Sequence, residues 1–364
     1  MLEDTLLIIG NGFDLQCGLK SSYKEFGIWL RQDEQRLYSS LWAVHFFLNN
    51  LADDQDWIDV EQSLQGTLTE KIYGRRSQLG NWLAAAKHYF TKYQGYMIKR
   101  FANEKGTQDR EVKYIVKYML DNNTSECDSY WFLNELRKFE NLFSEYLETE
   151  VLNNKSYLPN ACKLMEELTE GGKVKVISFN YTNPFKQNVS SLEKNKPSNF
   201  AGSVTNVHGT YADRNIIFGV DTTEDLPSDA YIFSKTHRKI LQGSSNGALP
   251  HYVSKIKFYG HSLGRADYSY FQSIFDSYNL YGEDQLLSRN RGKNLKLQFY
   301  FTVYDEDKKI EIERDAANRV YKLIDAYGKT LDNKDKGKNL LHKLLLEGRI
   351  QIIFLPEIDK ARDE

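Results

Sequence analysis

Gly260-His261-Ser262-Leu263-Gly264, inside the stretch KFYGHSLGRADYSYF, has the G-x-S-x-G spacing that presents a serine nucleophile in many lipases and esterases. Such an enzyme also needs an acid and then a histidine further along the chain, with the histidine on a loop after a strand. The only histidine after Ser262 is His342, in NLLHKLLLEG, where apolar residues recur at helical spacing. His261 is adjacent to the serine, and from a turn its ring is expected to point elsewhere. Ser262 is therefore expected as a hydrogen-bonding contact in a sugar-binding turn that begins at Gly260, with Asp267 as a second polar contact.

Gly10-Asn11-Gly12-Phe13-Asp14 follows the apolar run Thr5 to Ile9 and precedes a helical pattern. In that setting backbone N–H groups and a helix N-terminus can cradle a pyrophosphate. Position 15 is Leu, so the full G-x-G-x-x-G pattern is absent and a bare tight turn is the competing reading. Asp14 is placed to bind a ribose or to cap the next helix. Asn180, in ISFNYTNP, and His208, in VTNVHGT, each follow a short β-rich run. Both fall near carboxyl ends of strands, where open α/β sheets bind ligands. Gly209, directly after His208, is expected to let a ligand approach closely. A structural histidine and a turn-capping asparagine are the competing roles.

The elements that must position these residues are legible in the same way. TLLII, bounded at once by glycine, reads as a buried parallel strand. SSYKEFGIWLRQ follows as a helix, with Tyr23, Phe26 and Leu30 at helical spacing. From about Gln32 to Glu170 the texture is helical, through Leu37, Leu41, Val44, Phe47 and Leu48, and again through Phe132, Leu136, Phe139, Phe143 and Leu147. ANEKGTQDRE reads as an exposed loop in that block. On a helix over WIDVEQSL, Asp59 and Glu61 diverge, so a two-carboxylate metal site is not supported. After Gly171 the β-rich runs are VKVIS, VTNVHGT, NIIFGVD, SKIKFYGHSLG, LKLQFYFTVY and RIQIIFLPE. Between the last two, IERDAANRVYKLIDAYG and NLLHKLLLEG read as helices closed by glycine C-caps. This alternation predicts one α/β domain with a mainly parallel sheet, built from residues 1–31 and 171–364, and a large helical insertion over 32–170.

With 364 residues and a net charge of -2, the chain has no global pull toward nucleic acid or anionic lipid. The basic runs KTHRK (Lys235 to Lys239) and RNRGK (Arg289 to Lys293) read as solvated faces. Together with the abundant aromatics they are the whole support for a nuclease. Cys17, Cys127 and Cys162 are odd in number and far apart, with no C-x-x-C pair, which suits a reducing cytoplasm. The acids before the short apolar run of MLEDTLLIIG are unlike a secretory leader, and no apolar stretch is long enough to cross a bilayer. A soluble, cytoplasmic protein without membrane partners is expected.

LLIIGNGFDLQCGLKSSYKEF, WIDVEQSL, VISFNYTNPF, VHGT, IIFGVD and KFYGHSLGRADYSYFQSIF, in this order, resemble the bacterial abortive-infection AbiH family across nearly the whole chain. That resemblance implies a role in antiphage defence. The order of Gly10 to Asp14, Asn180, His208-Gly209 and Gly260 to Ser262 is also similar, more remotely, to sirtuins and sirtuin-like NAD hydrolases, which implies a sirtuin-like, Rossmann-type fold. The first turn departs from the Gly-Ala-Gly start of sirtuins, and the zinc-ribbon cysteine quartet is missing, so protein deacylation is not implied.

On this likeness NAD is a substrate or ligand rather than a true cofactor, and no metal is required. Asn180 would hold the ribose hydroxyls or orient a water, and His208 would act as general base. The turn Gly10, Asn11, Gly12 and Phe13 would carry the pyrophosphate, with Asp14 beside it. Gly260, Ser262 and Asp267 would serve the adenosine ribose. Glu61 would stand at the mouth of the site. Both Asn180 and His208 are expected to be dispensable for folding. The implied partners are a nucleotide and a phage-derived trigger or partner defence protein, with a homo-oligomer left open. A non-catalytic nucleotide sensor and a nuclease acting on phage or host nucleic acid are the competing functions.

Overall fold

The computed structural model describes residues 5–48, 60–69, 71–72, 76–77, 129–170, 174–185, 203–221, 230–243, 247–282 and 295–357. Six strands form one sheet: β1 (Thr5–Ile9), β2 (Val174–Ser178), β3 (Val204–Asn206), β4 (Lys255–Tyr259), β5 (Lys296–Val303) and β6 (Ile350–Pro356). Their spatial order is β3-β2-β1-β4-β5-β6, and every neighbouring pair is parallel. This is the Rossmann strand order, in which the chain steps outward from β1 to β3 and then resumes on the other side at β4.

The composition of β1 explains its central place. Leu6, Leu7 and Ile8 are wholly buried and Ile9 nearly so, as a strand covered on both faces requires. Successive side chains point to opposite faces. Leu6 and Ile8 pack with Phe258, Phe299 and Leu323 on one side, while Leu7 and Ile9 pack with Leu164, Met165 and Val176 on the other. Each aliphatic side chain so buried contributes roughly 1.5–3 kcal/mol relative to exposure.

The described chain divides into two compact units: Met1–Ser22 with Leu147–Asn215 and Ser244–Glu364, and Tyr23–Tyr146 with Ile216–Gly243. The helical block expected over 32–170 is thus bounded differently. Helix Tyr157–Thr169 belongs with the sheet, where Tyr157, Ala161, Leu164, Met165 and Leu168 cover Leu7, Ile9 and Val176. Helix Tyr23–Arg31 belongs to the second unit, and so does Ile216–Gly243. Periodicity reveals that a helix has an apolar face, but not which partner covers it.

The second unit has an aromatic core. Along the helix Ser129–Asn153, Phe132, Leu136, Phe139 and Phe143 are buried at the spacing of one helix face. Phe26 packs on Phe139, Phe143 and Tyr146 with ring centroids 5.5, 4.9 and 5.4 Å away. Two expectations are corrected here. NIIFGVD forms no strand beyond an isolated bridge between Val220 and Ser234, because the Phe218 N–H donates to the buried Glu140 carboxylate at 2.8 Å instead of to a sheet. Nor is KTHRK a solvated face. It forms the helix Lys235–Leu241, on which Lys235 and Arg238 are buried. Lys235 Nζ donates to Glu61 Oε2 at 2.8 Å, and Arg238 clamps Glu140 through both guanidinium NH2 groups, one of them at 2.7 Å.

A third correction concerns Gly328. The helix Lys309–Thr330 runs through it rather than stopping there, and a Cβ at Gly328 would lie 2.4 Å from the Gly337 carbonyl oxygen. Its glycine is needed for close backbone packing. Gly348 is a glycine stop as expected, with φ +63 just after helix Leu340–Leu346. The loop ANEKGTQDRE, the run Arg289 to Lys293, Trp57 to Asp59, Gly171-Gly172 and Cys127 lie outside the described residues. Among the described residues no helix is long and apolar enough to cross a membrane.

Candidate functional site

Because all six strands are parallel, the segments after β1, β2, β3 and β4 emerge at the same edge of the sheet. Those segments carry Gly10 to Asp14, Asn180, His208 and Gly260 to Asp267.

The first turn is locked against the fourth. Gly10 N donates to Tyr259 O at 3.0 Å, Gly12 N to Gly260 O at 2.8 Å and Phe13 N to Gly10 O at 2.9 Å. Gly260 has φ +67, and a Cβ there would lie 2.4 Å from Phe13 N. A Cβ on Gly12 would lie 2.6 Å from Gly260 Cα. These glycines let two backbones touch, and three N–H groups expected to face a pyrophosphate are instead engaged by chain carbonyls. Asn11 is tied to Ser21, whose hydroxyl donates to Asn11 Oδ1 at 2.5 Å. Phe13 is fully buried between Phe185 and Tyr259.

Asp14, in the first turn of helix Gly12–Gln16, is only 1% exposed. Tyr157 OH donates to its Oδ1 at 2.8 Å and Thr182 Oγ1 to its Oδ2 at 2.6 Å. Burial pushes its carboxyl up to about 6, against the downward pull of the Thr182 and Tyr157 hydroxyls and the nearby Asn180 amide. Asn180 is 3% exposed, and among the described residues neither its Oδ1 nor its Nδ2 has a hydrogen-bond partner. Its side chain holds the Asp14 carboxyl down as a hydrogen-bonding neighbour does, although neither of its polar atoms reaches full hydrogen-bond geometry with a described residue. The backbone around it is fixed by Asn206, whose Nδ2 donates to Asn180 O at 2.9 Å and to Thr182 O at 2.8 Å. A rigidly held, buried amide with two unmet hydrogen bonds needs an explanation. A ligand that supplies both is one.

A testable consequence follows for stability. A carboxyl whose folded-state pKa lies above its ordinary value stabilises the fold below that ordinary value and loses the contribution as pH rises through the folded value. With a rise from 3.8 to about 6, ionised Asp14 costs about 3 kcal/mol near neutrality. Asp14→Asn is expected to be more stable than the wild type by up to about that amount at pH 7.5, the gain fading as pH falls through 6 toward 4. Urea unfolding at several pH values measures it, and a variant less stable at pH 7.5 would contradict the burial penalty.

The other cluster centres on Asp267. His208 Nε2 lies 2.8 Å from its Oδ1, and His261 Nε2 lies 3.3 Å from its Oδ2. His261 Nδ1 accepts the Leu263 N–H at 2.9 Å, so the His261 proton sits on Nε2, facing the carboxylate. That contact is set by Leu263, held at φ +57 in the left-handed region. Since a carboxylate only accepts, His208 also donates to Asp267 from Nε2. Phe179 wedges between the imidazoles, its ring 5.5 Å from His208 and 4.6 Å from His261, and Tyr270 lies 5.5 Å from His208. Asp267, expected on a ribose, instead holds two histidines.

Ser262 is exposed, and its Oγ accepts the Gly264 N–H at 3.3 Å. The strained residues of this turn are Gly260 and Leu263, not the serine, and both His261 nitrogens are committed elsewhere. A nucleophile elbow is therefore not built here. Gly209, at φ +81, admits the Asn215 carbonyl rather than a ligand, since a Cβ there would lie 2.1 Å from that oxygen. Among the described residues no group of three or more His, Cys, Asp or Glu is arranged to hold a metal ion.

Sequence reasoning missed Tyr157, Thr182 and the part played by His261. Thr182 stood within the quoted FNYTN, two residues after Asn180. Tyr157 sits on a helix whose packing partner periodicity does not name. Compared with known families, the chain matches the one described as bacteriophage abortive infection AbiH over residues 6–284. No curated protein and no solved structure matches it.

Proposed function

The chain belongs to the bacteriophage abortive infection AbiH family, and on that premise we propose that it is an antiphage effector whose sheet-edge site hydrolyses NAD between nicotinamide and ribose. The observation that carries the reading is Asn180, whose buried amide has an acceptor oxygen and a donor nitrogen without a hydrogen-bond partner among the described residues. A vicinal diol, as on ribose, satisfies both at once. The Rossmann strand order supports a nucleotide at this edge.

In the reaction the anomeric C–N bond breaks with its electron pair leaving on nicotinamide, and positive charge grows on the sugar. A water oxygen bonds to the anomeric carbon, and its proton passes to His208, oriented by Asp267 as a carboxylate orients an imidazole. Phe179 and Tyr270 exclude bulk water beside the imidazole. Exposed Ser262 is offered to the second ribose, while the engaged N–H groups of Gly10, Gly12 and Phe13 leave the phosphates to other groups. The sirtuin-like order of motifs belongs to this proposal. For a nuclease the support is reduced, since Lys235 and Arg238 of the basic run are buried in ion pairs.

Purified protein is incubated with NAD, alone and with extract from phage-infected cells. Equal release of nicotinamide and ADP-ribose is the expected result. Binding without release would favour a nucleotide sensor, and neither binding nor release would sink the reading.

A further inference from the structure

Asp14 is a buried carboxyl that no described residue pairs with a cation. The titratable groups that face it are Tyr157, Cys17 and Tyr211, each pushed up by burial and by the charge of Asp14, with Glu148 acting on Tyr211 ahead of Asp14. Thr182 contributes a hydroxyl and Asn180 its amide. All of these are uncharged near neutrality. A lone negative charge in a water-poor setting is costly to keep unless something positive arrives beside it. The Asn180 amide, beside Asp14 and without full hydrogen-bond geometry to any described residue, marks where a ligand would meet this charge.

We propose that Asp14 is the counter-charge of the site, selecting nucleotides that carry positive charge at the ribose, the pyridinium form of NAD, over the uncharged dihydropyridine of NADH. This rests on the nucleotide reading of the Asn180 site and specifies its ligand. Asp14 acts through the field it places on the ligand, so it is a positioning and selecting residue and not one that attacks or takes a proton. Attraction of this kind favours the charged partner by about tenfold or more. It should also lower the pKa of Asp14 when NAD binds, because the coupling is reciprocal.

The test is calorimetric binding of carbocyclic NAD, which keeps the pyridinium charge and resists hydrolysis, and of NADH, to the full chain and to Asp14→Asn. At pH 7.5 the wild type is expected to prefer the cationic ligand by about tenfold or more, and the variant to lose that preference. An unchanged preference in the variant, or equal binding of both ligands by the wild type, overturns the counter-charge role while leaving the nucleotide reading intact. Failure of the wild type to bind either ligand overturns both. Should the variant not fold, the wild type alone decides. Its preference is expected to weaken as pH falls through about 6, where Asp14 gains its proton, and a preference flat from pH 5 to 8 overturns the role. Any pH dependence that persists in Asp14→Asn does not come from Asp14.

Discussion

His208→Gln should lower NAD cleavage by about 10²-fold or more while leaving stability within about 1 kcal/mol of the wild type. The glutamine amide can donate to Asp267 Oδ1 where His208 Nε2 now does, but it cannot take a proton from water. His208→Ala should lose as much activity and also destabilise by about 1–3 kcal/mol, because it removes the hydrogen bond to the Asp267 carboxylate and leaves a gap beside Phe179 and Tyr270. This revises the expectation that His208 is dispensable for folding, for the side chain is 2% exposed. Full activity in the glutamine variant would remove His208 as the base. Asp267→Asn serves as a companion, since its amide can present a donor to His208 and favour the wrong tautomer.

The second large effect lies in the other unit and is one of stability. Arg238→Ala should cost about 3–5 kcal/mol, because it leaves the Glu140 carboxylate buried without its clamp. Burial already holds that carboxyl above its ordinary range despite the facing guanidinium. Replacing both members, as in Glu140→Met with Arg238→Met, should cost clearly less than the single change. Urea denaturation of the wild type and the two variants settles the comparison. A single variant as stable as the wild type would mean that the pair adds nothing to the fold.

Much of the sheet could be read from residue order because parallel strands buried on both faces are apolar runs ended by glycine or polar turns. TLLII and VKVIS are such runs. The expectations that failed did so for physical reasons. IIFGVD is as apolar as a strand, but its Phe218 N–H is claimed by a carboxylate far away in sequence, and periodicity carries no record of such a partner. KTHRK has the composition of a solvated face, and only the presence of Glu61 and Glu140 makes burial tolerable.

The site follows the same pattern. Strand ends bring Asn180, His208 and Asp14 to one edge of the sheet, whereas residue order does not show that two histidines converge on Asp267 in space. Gly10, Gly12 and Gly260 marked close approach correctly, but what approaches is the chain itself. A glycine pattern does not distinguish a backbone neighbour from a phosphate.

NAD and nicotinamide in infected cells give the most direct test of the central claim. Cells carrying the wild type are compared with cells carrying Asn180→Ala, a change that removes two buried polar atoms without hydrogen-bond partners among the described residues and so should fold as well as the wild type. During infection NAD should fall in wild-type cells, with nicotinamide and ADP-ribose rising in step, while the variant keeps its NAD and loses protection. Wild-type cells that resist phage with their NAD intact, or an Asn180→Ala variant that protects fully, would contradict hydrolysis at this site.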